Sequence, residues 1–377
     1  MDFPKLKKPD LRLPQIPHKI LKQKPVPTDL EVNVMMMGGR RCGKTSVLAA
    51  MQECFEAEFN GNSSLVITSA DEATLCAIED KKAELDSYFV QKKRTFSPRT
   101  EEKIGTREIM TYVFYVGLRG KKDRIRINFV DFPGEWLDNP DEWKDQLADL
   151  QRKLERTSVL LIAVDTPHLI ECDGQYSQIR NREYRISEKI KSSGFADKGP
   201  SLVLFVPLKC ERYYKDNRMN EVQLTVQEEY KNLIQYLCGG ENSECLAAIA
   251  PILTLGGAAF SHFGRDDNGE IALNTVGIPA QQIYYFPDES VKHPEPKFCD
   301  QPLLYVLTYT LAMAKEARRQ KKNGFLNLGA IKSWFEESVL NWPSAEDYIT
   351  EYDAIHGKLK TTGDGYRVLN KTSWIKF

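Results

Sequence analysis

Eight consecutive residues, Gly38-Gly39-Arg40-Arg41-Cys42-Gly43-Lys44-Thr45, hold the strongest chemical signal in this chain. They fit G-x-x-x-x-G-K-[ST], and each fixed position meets a requirement of a phosphate chain. The glycines let backbone N–H groups turn inward around phosphate oxygens. Lys44 reaches the β and γ phosphates, Thr45 offers a hydroxyl to Mg²⁺, and Ser46 follows it. A helix beginning here adds the positive end of its dipole to the same anion site. A second cluster, Asp131-Phe132-Pro133-Gly134-Glu135, directly follows the strand-like run 125–130. An Asp at a strand's carboxyl end, beside the P-loop strand of a parallel sheet, can hold Mg²⁺ directly or through water. Gly134 can then present its N–H to a γ-phosphate.

The elements that must position these residues are visible on either side of them. Residues 31–37 form a short apolar run ending at Gly38-Gly39, and Val47, Leu48, Met51 and Phe55 share one helical face, so the order is strand, glycine loop, helix. A charged helix is expected over 71–93 and a polar, mobile loop over 95–106. Strands 110–118 and 124–130 flank Arg119-Gly120-Lys121-Lys122-Asp123, a hairpin turn that makes them antiparallel. Beyond them the pattern predicts helices over 140–156, 179–193 and 222–237, alternating with strands at 158–165, 202–206 and 249–255. A long helix over 301–322 ends in a basic run, and a short helix (331–340) and a hairpin around Gly363-Asp364-Gly365 follow. This alternation predicts an α/β fold, a three-layer, mainly parallel sheet with one antiparallel neighbour. The expected organisation is a basic, proline-rich flexible leader (1–29), a P-loop nucleoside-triphosphatase domain (30–322) with an insertion at 56–106, and a helical/β C-terminal extension (323–377). Trp334, Trp342 and Trp374 in that extension are expected to pack on the domain.

Composition sets limits on the rest. The chain has 377 residues, 41% of them hydrophobic, and a formal net charge of −1, which suits a globular protein with a sizeable core. Charge balance gives no direct nucleic-acid signal. The eight cysteines form no C-x-x-C pair, and His18, His168, His262, His293 and His356 show no ligand spacing, so a metal cluster is not expected. The longest apolar runs are too short for a transmembrane segment and no signal peptide opens the chain, which predicts a cytoplasmic protein with reduced thiols.

Taken together, Gly38 through Ser46 and Asp131-Phe132-Pro133-Gly134-Glu135-Trp136-Leu137 resemble the TRAFAC-class GTPases, and look most like the YcjX-like and bacterial double-GTPase families. The resemblance covers about residues 31–260. It implies a bacterial Mg²⁺-dependent GTPase with an insertion-bearing G domain, placed by association in a stress or defence system. It also implies a base-recognition motif, [NT]-K-x-D, aligned with Leu208-Lys209-Cys210-Glu211. There the Lys209 stem would lie on the purine and Glu211 would accept the guanine N–H groups. Leu208 departs from the pattern, so ATP stays an alternative to GTP/GDP. The switch threonine that meets Mg²⁺ is assigned to Thr106, ahead of Thr100 and Thr95.

Glu135 stands where many such proteins place a water-orienting Gln. Arg40 occupies a position usually held by Gly, and Arg40 or Arg41 is a candidate arginine finger in cis. The expected catalytic set is therefore Lys44, Gly134, Glu135 and Arg40. The expected function is a switch that hydrolyses GTP and toggles the loops around Thr106 and Gly134. A catalytically weak nucleotide-binding scaffold that recruits an effector is the alternative, and an ATP-dependent phosphotransferase the third. Expected partners are the nucleotide and a protein effector, with homodimerisation left open.

Overall fold

Alternate residues of one strand set the layers of this molecule. In the computed structural model, residues 29–59, 64–90, 108–137, 141–240, 244–256, 259–273, 277, 279, 281–285, 293–322 and 342–375 are described. The strands are β1 (Leu30–Met37), β2 (Leu65–Ser69), β3 (Met110–Leu118), β4 (Arg124–Asp131), β5 (Val159–Asp165), β6 (Ser201–Leu208), β7 (Cys245–Ile249), β8 (Ala259–Phe263), β9 (Gln281–Tyr285), β10 (Thr362–Gly363) and β11 (Tyr366–Val368). Val32, Val34 and Met36 of β1 point into one apolar cluster, while Met35 and Met37 point into another on the opposite face. That is the period-2 alternation of a strand buried on both sides.

The helices fill those two layers. They are α1 (Lys44–Phe59), α2 (Glu72–Val90), α3 (Lys144–Glu155), α4 (Thr166–Ile170), α5 (Ser177–Arg180), α6 (Glu183–Ser192), α7 (Glu211–Lys215), α8 (Met219–Glu229), α9 (Lys231–Cys238), α10 (Gln301–Lys322), α11 (Ala345–Ile349) and α12 (Tyr352–His356). Phe55 of α1 and Leu303, Leu307 and Leu311 of α10 cover the first face. Leu147, Leu150 and Leu154 of α3, Ile186 and Ile190 of α6, and Leu233 and Leu237 of α9 cover the second. Their three- and four-residue spacing is what gives each helix a single apolar stripe.

The sheet order is β10-β11-β7-β6-β5-β1-β4-β3-β2, with β8-β9 a separate antiparallel pair. The five central strands, β7 to β4, are parallel, which bears out the α/β reading. β5 and β6 are buried at every position, as their unbroken apolar runs require. Two antiparallel pairings occur at one edge, because β2 adds to β3 beyond the expected β3–β4 hairpin. At the other edge the turn at 363–365 joins β10 to β11, and β11 pairs antiparallel with β7. The single antiparallel neighbour expected from sequence is thus replaced by antiparallel additions at both ends.

Three further expectations are corrected. The strand expected at 249–255 begins at Cys245, since the alanines of Cys-Leu-Ala-Ala-Ile-Ala carry a weaker apolar signal than Ile252 to Leu255. The helix expected at 179–193 breaks where Arg182 adopts φ 53°, next to Asn181, whose side chain is tied to the Asp165 backbone. The helix expected at 222–237 is two helices meeting at Tyr230, whose buried ring packs 5.2 Å from Phe205. The leader, the mobile-loop reading of 95–106 and the 331–340 helix fall outside the described residues apart from Asp29. Trp342 is buried in the core and Trp374 packs against it, whereas Trp334 lies outside the described residues. No helix among the described residues is long and apolar enough to cross a membrane.

Candidate functional site

The loops that follow β1, β4, β5, β6 and β7 emerge at the same carboxyl edge of the parallel strands, where ligands of such sheets bind. The first runs from Gly38 into α1. Its glycines are required by close approach: a Cβ on Gly39 would stand 1.8 Å from the Arg180 carbonyl oxygen. Arg41 takes a left-handed φ of 61°, and the Cys42 thiol, fully buried, donates to Gly39 O at 3.0 Å. Burial raises the pKa of that thiol, so Cys42 serves packing. Thr45 and Ser46 are half-buried in the first turn of α1.

Lys44 and Asp131 meet beneath this loop. Met36 of β1 is in register with Asp131, so the last residue of β4 is delivered beside the P-loop. Lys44 Nζ donates to Gly38 O at 3.2 Å and to Gly39 O at 3.4 Å, and lies 3.5 Å from Asp131 Oδ1. Burial alone would lower the lysine pKa, but the Asp131 charge reverses this and keeps the amine protonated. Asp131 is only 3% exposed, and its Oδ1 has no hydrogen-bond partner in the described structure. Burial pushes the Asp131 carboxyl up, and the neighbouring Lys44 and Thr45 partly offset that. A buried carboxylate oxygen left unsatisfied beside a threonine hydroxyl is a hard-oxygen donor set that fits Mg²⁺.

Gly134 opens a short 3₁₀ turn, Gly134–Leu137, that lies directly on the P-loop. A Cβ there would fall 2.4 Å from both Arg40 N and Gly39 C, so only glycine permits the contact. The turn is anchored by Trp136, stacked 6.1 Å from Trp143, and by Arg185 donating to Leu137 O. Glu135 Oε2 lies 3.9 Å from Arg40 Nε, a partly exposed pair.

At the end of β6, Leu208 is buried and packs toward Gly43. Lys209 adopts φ 60° and its Nζ donates to Arg41 O at 3.0 Å and to Asp165 Oδ2 at 2.6 Å. Glu211, 2% exposed, accepts from Leu255 N at 2.9 Å. Burial pushes its carboxyl up to about 7. The structure therefore brings Gly38 to Ser46, Asp131, Gly134, Glu135, Lys209 and Glu211 to one edge. Thr106, Thr100 and Thr95 lie outside the described residues.

Other residues at this edge were not singled out from sequence. Arg180 donates to Arg40 O at 2.8 Å and covers Gly39 with its carbonyl. Asp165 is completely buried and accepts from His168 Nδ1 at 2.8 Å. The signal for Asp165 was present, since it ends an apolar run as Asp131 does. Among the described residues no three His, Cys, Asp or Glu side chains group as a metal cluster, and all eight cysteines are free thiols.

A family model described as Double-GTPase 2 matches residues 33–236, which span the P-loop, Asp131 and the Lys209–Glu211 loop. No curated protein matches the sequence. Among solved structures, the GTP-bound GTPase-like domain of Ski7 from S. cerevisiae is similar at 13% identity and a TM-score of 0.38, over 74% of this chain and 50% of that one. The chain thus spans about half the length of that structure. Sup35 complexed with GDP is similar at 10% identity and a TM-score of 0.28, over 64% of this chain and 40% of that one. In the SRβ-GTP/SRX complex of the signal recognition particle receptor from Chaetomium thermophilum, the corresponding values are 12% and 0.31, over 60% of this chain and 91% of that one.

Proposed function

We propose, because this chain belongs to the Double-GTPase 2 family, that it is a Mg²⁺-dependent GTPase switch converting GTP and water to GDP and phosphate. The observation that carries this reading is Asp131, buried at the end of β4, its Oδ1 without a hydrogen-bond partner and 3.5 Å from the Lys44 ammonium of the P-loop. Thr45 and Asp131 would hold Mg²⁺, which when bound neutralises phosphate charge. Backbone N–H groups of 38–45 cradle the phosphates, and Lys44 meets the β and γ oxygens. Gly134 offers its N–H to the γ-phosphate and Glu135 orients the attacking water. The water oxygen bonds to the γ phosphorus as the bond to the β–γ bridging oxygen breaks. Lys209 lies along the purine, and Glu211 accepts from the guanine N1 and N2 donors. Residues 30–322 form the nucleotide domain in this reading, with 323–377 an extension, and the loop around Thr106 responds to the γ-phosphate.

A second reading is favoured by one contact. Arg40 stands beside Glu135, the residue that would orient water, and an engaged carboxylate suits a slow scaffold that recruits a protein effector. Single-turnover phosphate release with purified protein separates the two. Mg²⁺-dependent release of phosphate from GTP, abolished by EDTA, supports the GTPase; tight GTP binding with release no faster than GTP dissociation supports the scaffold.

A further inference from the structure

The base-recognition loop of this chain carries Leu208 where the resemblance expects an asparagine or threonine, and a buried leucine cannot hydrogen-bond that loop to the P-loop. Another residue bridges the two. Lys209 Nζ reaches Arg41 O in the P-loop at 3.0 Å and Asp165 Oδ2 at 2.6 Å. Asp165 is drawn to this point by the sheet, for it is the register partner of Leu208 across β5 and β6. Several hydrogen bonds fix its own position. His168 Nδ1 and the His168 backbone N–H donate to Oδ1 at 2.8 and 3.2 Å, and Asn181 accepts from Asp165 N at 2.7 Å and donates to Asp165 O at 3.3 Å. One oxygen therefore caps α4, which is the ordinary task of an Asp before a short helix. The other accepts from Lys209.

We infer that Asp165 is a positioning residue for nucleotide recognition: through its ion pair with Lys209 it locks the lysine stem in the plane where a purine stacks and fastens the base loop to the P-loop, replacing the side chain that Leu208 lacks. The ammonium is shared between a fully buried carboxylate and a P-loop carbonyl, and Lys209 itself is held at a positive φ of 60°. A charge-assisted hydrogen bond to a fully buried carboxylate is one of the strong ones. Burial pushes the Asp165 carboxyl up, but the Lys209 charge and the contacts from His168 more than offset it and hold the group well below the usual carboxylate range, so it is ionised at neutral pH. The consequence is a division of labour: the P-loop binds phosphate whatever base is attached, while Asp165 and Lys209 determine how well a purine is held.

This inference rests on the GTPase reading, and the test keeps the two apart. Dissociation constants for GTP and for inorganic tripolyphosphate are measured at one Mg²⁺ concentration in the full chain, Asp165→Asn, Lys209→Met and the double variant. Asp165→Asn is expected to weaken GTP on the order of tenfold or more, the range for losing a charged hydrogen bond, and to change tripolyphosphate less than about twofold. Lys209→Met keeps the apolar stem but not the charge, and is expected to match it. The double variant is expected to be no weaker than either single one, because both remove the same clamp. Should Asp165→Asn not fold, Lys209→Met carries the test: it breaks the same ion pair while keeping the apolar stem, and is expected to weaken GTP about tenfold while changing tripolyphosphate less than about twofold. GTP affinity unchanged in Lys209→Met, additive losses in the double variant, or equal losses for GTP and tripolyphosphate in Asp165→Asn would each overturn the inference while leaving the GTPase reading in place. A wild-type chain that binds GTP no better than tripolyphosphate overturns both.

Discussion

Lys44, Asp131 and Glu211 each couple a charge to burial, so single substitutions at them have separable outcomes. In the proposed site, removing Lys44 would leave the phosphates without their main cation. Lys44→Ala is expected to cost at least about 1.5–3 kcal/mol of triphosphate affinity, read by titration with a fluorescent GTP analogue; affinity kept within about twofold would remove Lys44 from the site. Asp131→Asn is expected to weaken binding in Mg²⁺ more than in EDTA, and equal losses would mean that the carboxylate serves the fold alone. Glu211 gives a pH test. Its carboxyl is pushed to about 7 by burial, above its ordinary 4.5. The folded state therefore holds the proton more tightly than the unfolded one, and the resulting stability is complete below 4.5 and lost as pH rises through 7. The guanine pairing proposed for Glu211 runs the other way, since only the ionised carboxylate would accept from both donors. The preference for GTP over ATP is expected to grow as pH rises from about 6 to 8, and to become flat with pH in Glu211→Gln. A pH-independent preference in the wild-type chain would place base recognition elsewhere.

At the scale of elements, the turn after β4 comes closest to the loop after β1 at Gly134. Gly134→Ala would place a methyl 2.4 Å from Arg40 N, so the turn must lift off the P-loop. Turnover is expected to fall more than about tenfold while GDP affinity stays within about threefold, because GDP has no γ-phosphate to meet Gly134. Equal losses in both would show that the P-loop itself had been displaced. Gly39→Ala faces a harder obstacle. The atom in its way is the Arg180 carbonyl, held in the backbone where α5 gives way to α6. It is expected to lose more than about 2 kcal/mol of stability in urea unfolding, and a loss under half of that would mean that the segment around Arg180 yields.

At the scale of the whole molecule, the residues beyond 360 complete the sheet. β11 pairs with β7, Tyr366 donates to Pro251 O at 2.7 Å, Asn370 accepts from Ala247 N at 2.9 Å, and Trp374 donates to Glu244 O at 2.9 Å. Truncation after residue 360 would leave the β7 edge and its apolar neighbours uncovered. The shortened chain is expected to aggregate or to melt well below the full-length protein in thermal scans, whereas an unchanged melting temperature would show that β7 needs no cover.

The glycine turn between β1 and α1 was legible in the sequence because strand, turn and helix follow one another without a gap, so local spacing alone specifies it. Asp131 was legible for a related reason, as an acid at the end of a recognisable strand, and the family likeness drawn from these two motifs holds over residues 33–236. Lys209 and Glu211 could be named from the resemblance, but not their surroundings. Which groups engage them depends on contacts between distant parts of the chain: Asp165 lies 44 positions from Lys209, and Arg180 lies 140 from Arg40. The hairpin at 363–365 was readable from its glycines, yet its place beside β7 was not, because a two- or three-residue strand carries too little pattern to name its partner. Periodicity encodes which face of an element is buried. Only packing decided which elements share an edge, and with it which carboxylate holds Lys209 and which backbone N–H meets Glu211.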